Sequence, residues 1–297
     1  MLILALVALP HFATDYERQF TLDVLMFVAL AQSWNLISGF TGYVSFGHVA
    51  FFGVGAYAGA LLMPWLGGAW LLAVLAGGAV AVVLALLIGF PCLRLRGAYF
   101  AIAMLGLNEI ARIATLYFDG LTGGAEGLTL PPLRDPLGNY YAMLAVAALA
   151  VGAAYGVATT RFGLRLLAIR EDEVAAEAMG ISTTRHKMAA FLLSALFPGM
   201  AGAVYVRVVT FLDPASAFEV LRSIQMIVMV LFGGAATVWG PVAGAVGLSV
   251  LQELAWVRFT FLHQAIFGGI IILVVLLMPQ GIFGLLRRWR LLVGRGV

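Results

Sequence analysis

One stretch of this chain, Arg161 to Lys187, is its only long charged stretch: RFGLRLLAIREDEVAAEAMGISTTRHK. Three arginines (Arg161, Arg165 and Arg170) precede an acidic run from Glu171, three alanines follow, and Gly180 closes the pattern. Acid early and glycine late are helix start and stop signals, so a short amphipathic helix is predicted to end at Gly180. The chemistry it offers is docking. Ala175, Ala176 and Ala178 are small enough for another protein to approach closely, while Glu173 and Glu177 can make charge-assisted bonds at the rim. A solvated loop helix with no partner is the plainer alternative for the same residues.

Polar residues inside apolar runs are the second source of chemistry. Glu109 and Arg112 lie three residues apart and so share a helical face within a predicted span. A structural ion pair is the favoured reading over a role in gating, and the neighbouring Asn108 is the better ligand contact, since a neutral amide costs less to desolvate. The segment Asn35–Gly59, NLISGFTGYVSFGHVAFFGVGAYAG, is crowded with glycine. Backbone that leaves helical geometry at membrane depth must be satisfied by protein or by a water-filled cavity. Thr41, Ser45 and His48 add polar atoms there, which favours a path lining for 39–48. Helix packing through Gly55 and Gly59 explains the rest equally well. A second interruption runs from Phe232 to Pro241. The expected translocation path therefore contains Gly42, Ser45, Phe46, Gly47, His48, Tyr99 and Asn108. Phe51 and Phe52 form an apolar wall, and Gly233 and Gly234 let the second segment bend against it.

The elements that must position these residues follow from composition. At 63% hydrophobic and 10% charged, with a mean hydropathy of +1.04, the chain does not suit a soluble globule. Runs long enough to cross a bilayer recur near 2–13, 20–37, 49–63, 69–92, 97–118, 140–160, 188–210, 223–236, 241–257 and 263–281. They are apolar all round rather than alternating, which gives an all-α, polytopic transmembrane bundle with glycine-interrupted helices, in one domain over 1–297. The first run is read as an uncleaved helix, not a signal sequence. Arg94 and Arg96, the 161–187 stretch, and Arg287, Arg288, Arg290 and Arg295 are placed in the cytoplasm, with the C-terminus inside. The net charge of +3 is explained by those loops, so lipid and not nucleic acid is the expected surrounding. A single cysteine, Cys92, and four dispersed histidines point to no metal site, and no cofactor is expected. The one lysine, Lys187, is flanked by His186 and Met188, so the chain carries no phosphate-cradling P-loop of its own and is not expected to be an enzyme.

Several segments together resemble a known family: Gly42–Tyr57, Leu95–Ala103, Gly123–Leu128, Arg161–Gly180 and the run from Gly233 through Gly240-Pro241 to Gly244. They are similar to the inner-membrane permease subunits of branched-chain amino-acid ABC importers, in the LivM-type branch. The resemblance covers about residue 20 to the C-terminus. It implies a bacterial or archaeal inner-membrane importer with a second, often non-identical permease subunit and two cytoplasmic ATP-binding subunits. A periplasmic or lipid-anchored substrate-binding protein would deliver the amino acid. The family's cytoplasmic coupling segment falls on Glu173–Gly180, with two departures. The usual Glu-Ala-Ala becomes Val174-Ala175-Ala176 with the glutamate displaced to Glu173, and the downstream Ile-x-Leu-Pro is Ala190-Phe-Leu-Leu193. A urea or short-chain amide permease is the neighbouring reading. An ion-coupled carrier would have to rely on Asp23, Glu109 and Glu253.

Overall fold

The computed structural model describes residues 2–66, 69–130, 135–258 and 268–269. The expected last span, 263–281, and the arginines at 287, 288, 290 and 295 fall outside the described residues, apart from Gly268 and Gly269.

Helix α1 (Leu2–Phe12) leads into α2 (Asp15–Trp34). The start of α2 is fixed by a capping box, in which the Thr14 hydroxyl accepts from the Glu17 N–H and the Glu17 carboxylate accepts from the Thr14 N–H. A π-helical turn, Asn35–Gly39, ends it. Then come α3 (His48–Leu66), α4 (Trp70–Cys92), α5 (Ala98–Tyr117), the short α6 (Asp119–Thr122) and α7 (Pro136–Thr159). Two further helices, α8 (Arg161–Glu171) and α9 (Glu173–Ala178), precede α10 (Thr183–Tyr205), α11 (Pro214–Ala217), α12 (Val220–Gly233) and α13 (Trp239–Arg258). Among the described residues, seven segments are long and apolar enough to cross a membrane. The fold is thus the expected all-α polytopic bundle. Its only described sheet is one antiparallel pair of two-residue strands, with Leu128 opposite Leu212.

The centre of the bundle is α10, which packs on α3 and α4 and also touches α2. Small residues set that contact. A methyl added at Gly55 would lie 2.1 Å from the Gly199 carbonyl oxygen, and one at Gly59 would lie 2.8 Å from the Ala203 Cα. Between those two readings of Gly53–Gly59, the structure selects packing: the glycines let two backbones touch.

Several span boundaries differ from expectation: the second span begins at Asp15 and not near 20, and the sixth at Pro136 and not near 140. The seventh span begins at Thr183 and not near 188, so the polar residues Thr183–Lys187 lie inside a helix, where the buried Lys187 head group is held by Glu173, Tyr43 and the Leu93 carbonyl. The segment expected at 223–236 starts earlier, through α11, and stops at Gly233. Charge still sorts the two ends of the bundle. Arg96 and Arg170 meet α9 and the α2–α3 connection at one end, which we call the basic end. At the other, Asp135 faces Arg207 at 3.8 Å, near the strand pair.

Candidate functional site

At the basic end the charged stretch folds into two helices and not one. Asp172 breaks them apart: its backbone is extended, and its carboxylate accepts from the N–H groups of Val174 and Ala175 at 2.8 and 3.0 Å, capping α9. Helix α9 therefore starts at Glu173, two residues later than the acidic run implied. Gly180 closes it with φ +84°, where a side chain is strained. The Gly180 N–H bonds the Glu177 carbonyl, and the Ile181 N–H bonds that of Ala176.

The inward side of α9 is fixed by a buried ionic knot. Lys187 is 3% exposed, and its ammonium donates to the Glu173 carboxylate at 2.6 Å, the Tyr43 hydroxyl at 2.9 Å and the Leu93 carbonyl at 3.1 Å. That uses all three of its protons. The same ammonium lies 4.5 Å from the centre of the Tyr43 ring. Tyr43 in turn donates to Glu173 at 2.5 Å, and Arg96 approaches that carboxylate at 3.6 Å. Burial works against the Glu173 charge, but the Lys187 and Tyr43 hydrogen bonds outweigh it and hold the carboxyl below its ordinary 4.5. Burial and the adjacent Glu173 push the Tyr43 hydroxyl up.

This arrangement corrects part of the docking expectation. Ala176 is 4% exposed and faces its own chain, on the same side of α9 as Glu173 three residues before it, while its neighbours at 100° steps turn away. Glu173 is occupied by the knot, and Glu177 accepts from the Thr183 hydroxyl. Of the expected surface, Ala175, Ala178 and Gly180 remain open, flanked by exposed Val174 and Met179.

The knot reaches the first glycine-rich break. Gly42 (φ +77°) turns the chain out of α2 with the Arg170 side chain packed against it, and the Arg170 guanidinium donates to the Gly39 carbonyl at 2.9 Å. Residues 42–47 then run as non-helical chain, bent at Phe46, from Tyr43, at the basic rim, to Gly47 beside the Met104 carbonyl of α5. Met104 lies about 9 Å along α5 from its basic end. Here the polar atoms expected to face a path are largely satisfied from within, His48 Nε2 being the exception, buried without a partner. The Trp34 indole donates to the Ser45 carbonyl at 2.7 Å, Ser45 Oγ meets His48 Nδ1 at 2.8 Å, and Thr41 bonds the Ile37 carbonyl at 2.7 Å.

The second break is held by α2. Gly234 (φ +122°) and Ala236 (φ +59°) reverse the chain between α12 and α13, and a methyl at Gly233 would lie 1.7 Å from the Gly240 carbonyl oxygen. Asn35 clamps the reversal, with its Oδ1 accepting from the Ala236 N–H at 2.8 Å and its Nδ2 donating to the Thr237 carbonyl at 2.9 Å. Gln32 donates to the Val238 carbonyl. Non-helical backbone at this depth is thus paired with protein.

The expected path residues do not converge on one channel inside this chain. Ser45, Gly47, His48, Phe51, Gly233 and Gly234 are buried in packed contacts, Phe46 is half-buried and Gly42 is exposed. Tyr99 is exposed on the outside of α5, whereas Asn108 is buried on the inside, donating to the Phe218 carbonyl at 2.9 Å. Nine residues at 100° each put the two on opposite faces of one helix, so they cannot line a common route. Glu109 and Arg112 form a two-bond pair, with Arg112 Nε donating to Glu109 Oε2 at 3.0 Å, on the outward side.

Sequence reasoning missed the knot and the clamp. Lys187 had a signal, as the one lysine in a chain that otherwise uses arginine. Gln32 and Asn35, amides at the end of an apolar span, had another. Neither signal names its partner.

A multi-pass membrane protein with a capped helical platform wired to a broken helix has the build of a transport permease. The family described as branched-chain amino acid transport system, permease component, matches residues 19–275. The high-affinity branched-chain amino acid permease LivM of Salmonella typhimurium is 29% identical over 96% of this chain and 74% of its own length. LivM of Escherichia coli is 29% identical over 97% and 74%. The autoinducer 2 permease LsrC of Klebsiella pneumoniae is 29% identical over 62% and 59%. No solved structure matches. The chain belongs to the branched-chain amino acid transport permease family, as the membrane permease subunit of an ABC importer.

Proposed function

We propose that the chain carries branched-chain, hydrophobic amino acids across the inner membrane of a bacterial or archaeal cell. ATP hydrolysed on two separate cytoplasmic subunits drives it, and a periplasmic or lipid-anchored binding protein supplies the substrate. The basic end, with the C-terminus, faces the cytoplasm. One observation carries the reading: α9 presents Val174, Ala175, Ala178 and Met179 outward while Glu173, at its first turn, is tied through Lys187 to Tyr43 of the broken segment. A partner seated on that surface moves α9 as a unit, and the knot passes the displacement to residues 42–47. Arg170 passes it to the π turn. The route runs beside this segment, with Gly42 and Phe46 toward it and Ser45, Gly47, His48 and Phe51 supporting it from behind. The chain has no phosphate-binding loop, so its own part is conduction.

The test is reconstitution in liposomes with the ATP-binding subunits and the binding protein, measuring uptake of labelled leucine and substrate-stimulated ATP hydrolysis. Ala178→Trp places bulk at the docking surface and is expected to lower both at least tenfold. Leu164→Trp, on the exposed side of α8, leaves both within about twofold. Parental uptake by Ala178→Trp refutes the docking surface, and failure of the parent complex to move any branched-chain amino acid refutes the substrate assignment.

A further inference from the structure

At the end of the bundle opposite the basic end, where α2 and α7 start and α10 has just ended, lies a cavity of about 270 Å³. Leu22 and Val208 give it an apolar lining, and Arg18 and Arg207 a cationic one. An arginine at the end of a span ordinarily extends its head into water, but Arg207 is only 7% exposed. The Trp70 ring covers one face of its guanidinium at 3.8 Å, and its Nε donates to Asn139 Oδ1 at 2.6 Å. Its two Nη groups make no hydrogen bond among the described residues, and the Asp135 carboxylate stands off at 3.8 Å. Arg18 donates through its Nη atoms to Asp15 at 2.9 Å and to the Pro10 carbonyl at 3.0 Å, while its Nε is buried without an acceptor. Buried donors of this kind call for an acceptor.

The surroundings say which acceptor fits. Asp15 and Pro136 are the first residues of α2 and α7, so two long helices present their positive dipole ends to the cavity, which favours an oxyanion inside it. Carboxylates stand at the rim instead, the side chains of Asp15 and Asp135 being 97% and 51% exposed. Apolar surface adjoins the cavity: Phe12, Leu71 and Leu137 are exposed, each within two residues of a group that lines it or touches its arginines. Helix ends mark the boundary between hydrocarbon and water, where lipid phosphates lie and where a tryptophan such as Trp70 is favoured.

We infer that this cavity binds one phospholipid with a zwitterionic headgroup of the phosphatidylethanolamine kind, its phosphate on Arg207 and Arg18 and its ammonium against Asp15. The forked donors of Arg207 match phosphate geometry, and Arg18 Nε adds a second approach. Asp15 accepts from a primary ammonium, a bond that neither a glycerol nor a quaternary ammonium headgroup makes with the same charge and protons. The rim carboxylates repel an acidic side chain brought by a docking protein, and the same repulsion disfavours a purely anionic lipid. A free amino acid carries the same two charges but leaves the apolar flanks bare, whereas acyl chains cover them. Seated there, the lipid ties the ends of α2, α7 and α10 together. The inference requires only that the bundle spans a bilayer; with the basic end in the cytoplasm the lipid belongs to the outer leaflet.

The experiment titrates the purified full chain, stripped of lipid in detergent, with palmitoyl-oleoyl phosphatidylethanolamine, phosphatidylglycerol or phosphatidylcholine, and counts bound lipids by native mass spectrometry. The first phosphatidylethanolamine is expected to bind at least fivefold more tightly than the first of either other lipid. Arg207→Gln is expected to weaken that binding at least tenfold, and Arg18→Gln, which keeps the Arg207 contacts with Asn139 and Trp70, carries the same expectation at a smaller loss should Arg207→Gln fail to fold. Asp15→Asn, at an exposed position, is expected to abolish the preference for phosphatidylethanolamine over phosphatidylcholine, whereas Arg112→Gln, on the outward side of α5, changes neither affinity nor preference. A parent chain without the preference, arginine variants that bind like the parent, or an Asp15→Asn chain that keeps the preference would each overturn the site. Displacement of the first phosphatidylethanolamine by leucine, or by a substrate-binding protein, would overturn it too and give the cavity to that ligand.

Discussion

Replacing Lys187 by methionine keeps the length of the side chain and removes its charge, and the structure sets what should follow. The ammonium is 3% exposed, donates three hydrogen bonds and is the closest cation to Glu173. Its loss strands a carboxylate that is 13% exposed and removes the hydrogen bond the Leu93 carbonyl accepts. Breaking a buried pair by deleting one partner costs about 3–5 kcal/mol. The lower end applies, because Arg96 stays near Glu173 at 3.6 Å and Tyr43 still donates to it. A loss of about 3 kcal/mol lowers the melting temperature by roughly 6–12 °C on the scale of soluble domains. The double variant Lys187→Met with Glu173→Gln leaves no stranded charge and is expected to recover about 2 kcal/mol of that, a coupling that only contacting groups show. Thermal melts of the purified chain in detergent read both numbers. In the reconstituted importer the single variant is expected to uncouple ATP hydrolysis from uptake. A Lys187→Met chain that melts within 1–2 °C of the parent, or single variants whose effects simply add, would refute the knot.

Acidification probes the same carboxylate. Glu173 is held below its ordinary 4.5 by its partners, so the stability it contributes is present above that value and is lost as pH falls below it through the folded-state value. Melts taken from pH 6 downward are expected to drop less steeply in Glu173→Gln than in the parent, with Lys187, Arg96 and Tyr43 unchanged; equal slopes contradict this. Gly180→Val forces a β-branched residue into φ +84° and is expected to cost at least 1–2 kcal/mol, read by the same melts, with Gly180→Asn milder. Asn35→Ala removes both bonds that clamp the 236–237 backbone and is expected to cost about 2–3 kcal/mol, with faster amide exchange confined to 234–238. Unchanged exchange there would show that the reversal holds itself.

Much of this protein is written along the chain. Hydropathy is local and additive, so apolar runs of membrane length gave the class, the helical bundle and the order of the spans without any tertiary contact. Turn chemistry is local too: Gly180 ends α9 where its position after an acid-rich start requires it. Even the opposition of Tyr99 and Asn108 follows from helical period alone, once both are assigned to one helix. Contact partners are another matter. Lys187 lies 144 residues from Tyr43 and 14 from Glu173, and Asn35 lies about 200 from the backbone it clamps, so no spacing rule pairs them. Only when α10 packs on α3 and α4 does its N-terminal part bring the lysine beneath α9. That packing also decides that Ala176 points inward while Ala175 and Ala178 stay open, and that the glycines of α3 serve close helix contact. Periodicity states that a helix has two faces. Which face meets protein is fixed by the shape of everything around it, because burial is a property of neighbours and not of sequence.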